Sequence, residues 1–258
     1  MRASRKYTSI MAKPLPMPPV DLRRSIGGDE AGFDNPTGAL LYAEVPPAAY
    51  ERVFDFGCGC GRLARQMLQQ SVARPQTYLG IDLHNAAVQW ASANLSAINR
   101  SYRFEHLDVH NPQFNPTASK AQQSFPTRET FTLAIAHSVF THILEPDVAF
   151  YVGEIARILA GDGYFVSTWF FFDKKQFPMM QEFQNSLYIQ LVDPTNAVIY
   201  DLEFVKALFR TAGLTIINVA PPQCRGFQWR LTAVSGDGRT EAEFPEDKAP
   251  YGIARPPA

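Results

Sequence analysis

Apolar positions along the chain fall into short strand-like runs that alternate with stripes at helical spacing. Residues 52–56 (RVFDF) are short, apolar and rich in β-branched and aromatic side chains, which predicts a buried strand. Gly57-Cys58-Gly59-Cys60-Gly61 follows, and then 62–68 carries Leu63, Met67 and Leu68 at helical spacing. Residues 78–82 read as a second strand, and 85–98 as a helix through Ala86, Val88, Trp90, Ala91, Leu95 and Ile98. Alternation over 102–108 predicts a third strand, and the unbroken run 131–137 a fully buried fourth. A helix over 148–159 precedes 164–171, apolar throughout and therefore a central fifth strand. A helix over 202–212 ends at Gly213, and 215–219 with 227–234 reads as a closing antiparallel pair.

The intervening segments divide the chain. Residues 1–45 are an N-terminal arm and cap: Pro14, Pro16, Pro18 and Pro19 extend its first part, 21–28 ends in a glycine pair, and 33–43 holds a short helix. Residues 46–235 form the main domain, and 236–258 a polar, proline-rich tail. Within the domain, 111–130 is polar with Pro112, Pro116 and Pro126, so a long surface loop is expected there. Residues 160–163 (AGDG) read as a tight turn. The stretch 172–200 joins a central strand to a helix and carries Phe177, Phe183, Tyr188, Met179 and Met180, a composition suited to a lid. Such groups must bury against the core, a second subunit or a bound acceptor, so an oligomer is one of three expectations.

Composition narrows the classes. At 258 residues and 46% hydrophobic, the chain can bury a sizeable core. A formal net charge of −1 provides no global field for nucleic acid or anionic membrane. No apolar run approaches the roughly 20 residues of a membrane span, and the basic start has no apolar signal region. Three cysteines make no disulfide framework, so a reducing, cytoplasmic setting is expected. Cys58 and Cys60 form a lone C-x-C and read as small packing residues, with no metal site expected.

A strand, a glycine turn and a helix in that order make a nucleotide-binding corner, because glycines permit close backbone approach and the helix start offers free N–H groups. The dinucleotide pattern G-x-G-x-x-G fails, since Arg62 stands at its sixth position. What stands is Asp55-x-Gly57-x-Gly59-x-Gly61, and about 20 residues later Tyr78-Leu79-Gly80-Ile81-Asp82. That pair of motifs resembles motif I and the following ribose acid of the class I S-adenosylmethionine-dependent methyltransferases. Ser138-Val139-Phe140-Thr141-His142-Ile143 also resembles the S-V-F-x-H-[IL] signature after strand four in many small-molecule members. One check fails, since Thr132 replaces the acid that commonly opens strand four, and 160–163 matches the family's L-x-P-G-G turn with the Pro and the first Gly replaced.

The resemblance implies a Rossmann-like three-layer α/β sandwich. Its seven-stranded mixed sheet runs 3-2-1-4-5-7-6 with strand seven antiparallel, in keeping with the strand–helix alternation and the hairpin-like end. It implies S-adenosyl-L-methionine as cofactor. Asp55, Gly57, Cys58, Gly59 and Gly61 would cradle it, Asp82 and Leu83 would hold the ribose, and Asp108 and Val109 would face the adenine. The backbone of His137 would meet the donor's amino group. Arg23 or Arg24 in the preceding segment is placed for an anionic group.

Methyl transfer from a sulfonium is an in-line displacement in which alignment alone can supply roughly 7–11 kcal/mol, so a dedicated catalytic residue is optional. A hydroxyl acceptor benefits from a base, and His142 and His137 are the candidates. Base methylation of nucleic acid usually carries [DN]-P-P-[YF] where His137-Ser138-Val139-Phe140 stands, and a magnesium-dependent catechol type wants an acid there. The expected activity is metal-independent methylation of a small-molecule acceptor, at oxygen first, with no nucleic acid or membrane span involved. Nitrogen or carbon methylation of a small metabolite or lipid is the alternative. A nicotinamide-dependent oxidoreductase and a catalytically silent relative stand outside the class. The aromatic content of Trp169, Phe170, Phe171, Phe172, Phe177, Phe183 and Tyr188 hints at an apolar or aromatic acceptor, although core packing of strand and helix positions also explains it.

Overall fold

The computed structural model describes residues 14–222, 227–236 and 238–245. Residues 1–13 of the expected arm and 246–258 of the expected tail lie outside the described residues. The strands are β1 (Arg52–Phe56), β2 (Thr77–Asp82), β3 (Tyr102–His106), β4 (Phe131–Ala136), β5 (Leu159–Phe172), β6 (Ser186–Tyr188), β7 (Val198–Asp201), β8 (Leu214–Ala220) and β9 (Trp229–Ser235). The helices are α1 (Val20–Ser25), α2 (Arg62–Leu68), α3 (Asn85–Asn94), α4 (Glu145–Ile158) and α5 (Leu202–Thr211).

β3, β2, β1, β4 and β5 pair in parallel in that order. β9 runs antiparallel along β5 over Tyr164–Trp169, and β8 runs antiparallel to β9. The long strands therefore follow the expected 3-2-1-4-5-7-6 order, with the last one reversed. β6 and β7 are additions that the sequence pattern did not reveal. They form a short ribbon in which β7 pairs with Phe170–Phe172, past the point where β4 and β9 leave β5.

Adjacent residues of β1 point to opposite faces, which splits the core in two. Phe54 and Phe56 pack with Val148, Tyr151, Val152 and Ile155 of α4 and Phe209 of α5. Val53 packs on the other side with Leu63, Ala64 and Met67 of α2, Val88 and Ala91 of α3, and Leu95 just after it. The result is helix, sheet, helix, as expected of a chain whose strands are apolar on both faces. Trp169 and Phe140 stack with ring centroids 4.4 Å apart, and Trp169, Phe171 and Phe172 are fully buried. Trp169, Phe171 and Phe172 are therefore core and give no support to an aromatic acceptor.

Three local expectations need correction. Residues 33–43 hold no α-helix. A single 3-10 turn, Ala31–Phe33, is followed by turns, since Pro36 and Gly38 interrupt any helical ladder. Residues 160–163 are a bulge inside β5: two steps along β4, from Phe131 to Leu133, face five along β5, from Leu159 to Tyr164. The helix expected from 148 begins earlier, at Glu145, where Pro146 suits the first turn. The loop 111–130 contains no helix, as expected, and its Phe125 plugs the core against Phe54 at a centroid distance of 4.9 Å.

Gly80 lies mid-strand in β2, where glycine weakens a strand unless space demands it. A Cβ there would meet Cβ and Sγ of Cys58 at 2.8 Å each and Phe104 at 3.0 Å. Gly80 thus lets the glycine turn after β1 settle on β2. Gly80→Ala should destabilise the protein by about 1–3 kcal/mol through overpacking, read by urea denaturation. An unchanged midpoint would show that the turn has room to move.

Candidate active site

A cavity of about 1590 Å³ opens at the carboxyl edge of the parallel strands. A single small-molecule pocket is usually roughly 300–1,000 Å³, so this one has room for two ligands. Its walls come from the residues that follow β1, β2, β3 and β4, from α1 and its following loop, and from Thr168, Gln228 and Arg230 around β5 and β9.

The turn after β1 is held by backbone bonds. The N–H groups of Gly57 and Cys58 both donate to the Ile81 carbonyl, at 2.8 and 3.0 Å. Gly57 has φ +78°, and a Cβ on it would come within 2.3 Å of Val139 Cγ2, so this position requires glycine for conformation and for space. Asp82 closes the corner: its two oxygens accept the N–H groups of Gly59 and His84, each at 2.7 Å. Burial raises the pKa of Asp82, and those two backbone bonds oppose the rise.

Asp55 is buried in β1. One of its oxygens accepts from the Tyr78 hydroxyl, while Oδ1 is buried without a partner. Burial pushes its carboxyl up to about 7, against the Tyr78 bond and the nearby Arg62 charge, with Asp82 adding to the rise. Arg62, the first residue of α2, lines the cavity. Its side chain has no hydrogen bond or ion pair among the described residues.

At the end of β4, His137 is half-buried with Nδ1 enclosed and unpartnered. Burial, reinforced by the charges of Arg62 and Arg230, pushes its pKa down to about 3, so the ring is neutral. His142 sits at the rim, exposed, with Nδ1 2.8 Å from the Thr195 carbonyl. A carbonyl only accepts, so Nδ1 carries the proton and Nε2 keeps its lone pair in the neutral ring.

Of the residues singled out in the sequence, Asp55, Gly57, Cys58, Gly59, Asp82, Leu83, Val109, His137 and His142 line this one cavity. Gly61 and Asp108 do not. Gly61 caps the start of α2 at φ +80°, where a Cβ would meet Leu95 Cδ1 at 2.5 Å, so it serves the helix start rather than the cavity wall. β3 ends at His106, and the exposed Asp108 accepts from Asn115 Nδ2 at 3.1 Å. His110, Asn111 and Phe114 line the wall on that side instead, and the rings of Phe114 and His84 lie 5.8 Å apart. Arg24 faces the cavity from α1, where Arg23 is paired with Glu30 at 2.8 Å.

Sequence reasoning missed Tyr78, Arg62, Thr168, Gln228 and Arg230. A buried acid inside an apolar strand needs a donor, and a tyrosine at the start of the next strand was the available signal. Arg62 was visible only as the residue that breaks the dinucleotide pattern. The other three come together through the β5–β9 register, in which Thr168 faces Arg230, and no local motif encodes that pairing.

Residues 54–165 match a family model described as a methyltransferase domain. Over 76 residues the chain is 40% identical to the tRNA1(Val) (adenine(37)-N6)-methyltransferase of Yersinia pestis (strain Pestoides F), covering 28% of this chain and 30% of that protein. The same enzyme of Yersinia pseudotuberculosis (serotype O:3, strain YPIII) matches equally, at 40% over 76 residues. The chain thus spans under a third of the length of the curated relatives it matches. A solved S-adenosylmethionine-dependent methyltransferase from Mesorhizobium loti superposes with a TM-score of 0.52 at 16% identity, covering 74% of this chain and 94% of that one, and shares the fold.

Proposed function

We propose that the chain, whose residues 54–165 match a methyltransferase domain, is a class I S-adenosylmethionine-dependent methyltransferase that methylates a small-molecule acceptor without a metal, at oxygen first. The observation that carries this reading is a cavity with room for two ligands, lined by the glycine turn and Asp82 and also by the polar side chains of Thr168, Gln228 and Arg230.

S-adenosylmethionine supplies a methyl group on a sulfonium centre that leaves as a neutral thioether. The residues present fit it. The free lone pairs of Asp82 suit the ribose hydroxyls, and the neighbouring rings of His84 and Phe114 on the cavity wall offer aromatic surface for the adenine. Asp55 Oδ1, buried and unpartnered, suits the α-ammonium, and the unpaired Arg62 suits the α-carboxylate. His142 takes the proton of a hydroxyl acceptor at Nε2, with its ring oriented by the Thr195 carbonyl. His137, neutral and of very low basicity, orients rather than deprotonates.

The segment 172–200 acts as the lid. Its residues 192–196 reach the cavity, whereas Met179, Phe183 and Leu191 face outward at 84%, 75% and 87% exposure, and so do not bear on the acceptor in this conformation. Glu145 accepts from the Asn185 amide groups and the Ser186 hydroxyl, which pins the far end of the lid to α4.

Calorimetry with S-adenosylmethionine, S-adenosylhomocysteine and NADH, followed by transfer of a labelled methyl group to metabolite pools, tests the reading. Binding of NADH alone would sink it. A nucleic-acid base is the second reading, favoured by the Yersinia relatives. Unfractionated tRNA in the same assay decides between the two acceptors.

Asp55 adds a pH signature. Its folded value of about 7 lies above the ordinary 3.8, so the folded chain holds a proton that the unfolded chain lacks between those values. Its contribution to stability is full below about pH 4 and is lost as pH rises through about 7. An ammonium needs the ionised form, so donor binding releases that proton on the acid side. Affinity for S-adenosylhomocysteine should rise with pH between about 5.5 and 7, and Asp55→Asn should flatten the rise. Calorimetry in buffers of different ionisation enthalpy reads the proton directly, and proton-independent binding would exclude Asp55 as the ammonium's partner.

A further inference from the structure

We infer that the acceptor carries a carboxylate, and that Gln228 and Arg230 at the start of β9 hold it beside the methyl position; this rests on the methyltransferase reading above. Residues 228 and 230 are two apart, so they share one face, while Trp229 between them is buried on the other. Both line the cavity.

The hydrogen bonds around Gln228 have a direction. The Ser138 N–H donates to Thr168 Oγ1 at 2.7 Å, so the threonine's own proton is free to go elsewhere. It goes to Gln228 Oε1 at 2.6 Å, and the Ser138 hydroxyl donates to the same oxygen at 2.9 Å. The amide oxygen is thus used twice, and the two N–H groups of Nε2 have no protein partner among the described residues.

Arg230 is oriented in a similar way. Its Nε donates to Glu44 at 2.8 Å, its guanidinium lies 5.6 Å from the centre of the Tyr42 ring, and Glu44 accepts from Thr232 as well. These contacts fix the arginine from one side and leave its outer N–H groups without a partner. Of the acids elsewhere on the cavity wall, Glu30 is engaged by Arg23, Asp193 by Thr195 and Asp147 by Gln122, while Asp55 and Asp82 belong to the donor side. Gln228 and Arg230 thus present an amide N–H pair and a guanidinium edge without partners, both planar donors, which match the two oxygens of a carboxylate.

Backbone strain converges on the same place. Ser138 and Phe227 have φ of +58° and +53°, and they are two of the three non-glycine residues with positive φ among the described residues. Left-handed backbone at such residues is uncommon and costly, and it persists where the surroundings hold it for a purpose. Ser138 is bonded to Gln228, and Phe227 precedes it, so both strained residues set the position of this one amide.

The test uses full-length protein loaded with S-adenosylhomocysteine and matched probes: benzoate with benzamide, indole-3-acetate with indole-3-acetamide, and benzenephosphonate as a second anion. Calorimetry should find at least one carboxylate bound about tenfold or more tighter than its amide and its phosphonate counterpart. Arg230→Gln and Gln228→Leu should each remove about tenfold from that carboxylate while leaving its amide and S-adenosylhomocysteine unaffected. Because Arg230→Gln strands Glu44, the double variant Glu44→Gln/Arg230→Gln removes both charges together and should behave as the single one does. Equal binding within every pair, no binding by any carboxylate, a preference for the phosphonate, or variants that keep the preference would each overturn the inference. Failure of S-adenosylhomocysteine to bind at all would sink the methyltransferase reading with it, and so is distinguishable.

Discussion

Asp82→Ala should weaken binding of S-adenosylmethionine roughly 30- to 150-fold, about 2–3 kcal/mol. Two effects combine in that loss. The carboxylate ties down the corner through the N–H groups of Gly59 and His84, and truncation leaves both without their acceptor. It also removes the charged acceptor that suits the ribose. Asp82→Asn keeps the shape and one acceptor oxygen, so it should fall between wild type and alanine. Crossing Asp82→Ala with a 2′-deoxy analogue of S-adenosylhomocysteine separates the parts. Non-additive losses would place the carboxylate on the ribose hydroxyl, and strictly additive losses would restrict Asp82 to holding the turn.

That double duty shows how much of the site was legible in the sequence. The spacing between the glycine turn and Asp82 placed the acid beside the turn, as the structure has it. That the same acid is also the bracket for the turn was not visible, because backbone hydrogen bonds leave no trace in residue types. Gly57 was readable for the same reason that Asp82 was: one residue type meets a demand that no other can. Asp108 lies off the cavity wall: its placement rested on where β3 ends, and the strand stops at His106, two residues short of the expected boundary. Helix and strand ends are decided by a few backbone bonds rather than by periodicity, which makes them the weakest part of any such reading.

The fold was legible because each parallel strand is apolar on both faces and each helix carries a stripe. The β6–β7 ribbon was hidden for the opposite reason. Its three- and four-residue strands are too short to show a period, and they exist because the final residues of β5 have an open edge to pair with. Asp201 fastens the end of that ribbon, capping α5 through the Phe204 N–H at 3.1 Å and accepting the Lys174 N–H at 2.9 Å. Long-range pairings of this kind also built the Ser138–Thr168–Gln228 triad, whose members lie up to 90 residues apart.

His142→Ala should lower kcat for a hydroxyl acceptor about 10²-fold or more near neutral pH, with donor affinity unchanged. The geometry argues for it over His137. Deprotonation needs a nitrogen that accepts a proton readily. The burial of His137 and the two arginines near it oppose a positive ring, which brings its pKa to about 3. His142 is exposed, its Nδ1 proton is committed to the Thr195 carbonyl, and Nε2 is the nitrogen left to act. His142 is thus oriented by the segment 172–200, to which Thr195 belongs and which we propose as the lid. Asp193 accepts from both the N–H and the hydroxyl of Thr195, which fixes the turn that presents this carbonyl. Asp193→Ala should then reproduce part of the His142 defect, with a smaller fall in kcat and no change in the affinity for S-adenosylhomocysteine. The pH profile distinguishes the two: removal of the base should abolish the acid limb of kcat, whereas loosening the lid should lower the plateau and keep the limb. A His142→Ala enzyme that retains full kcat and the same acid limb would show that alignment alone drives the displacement.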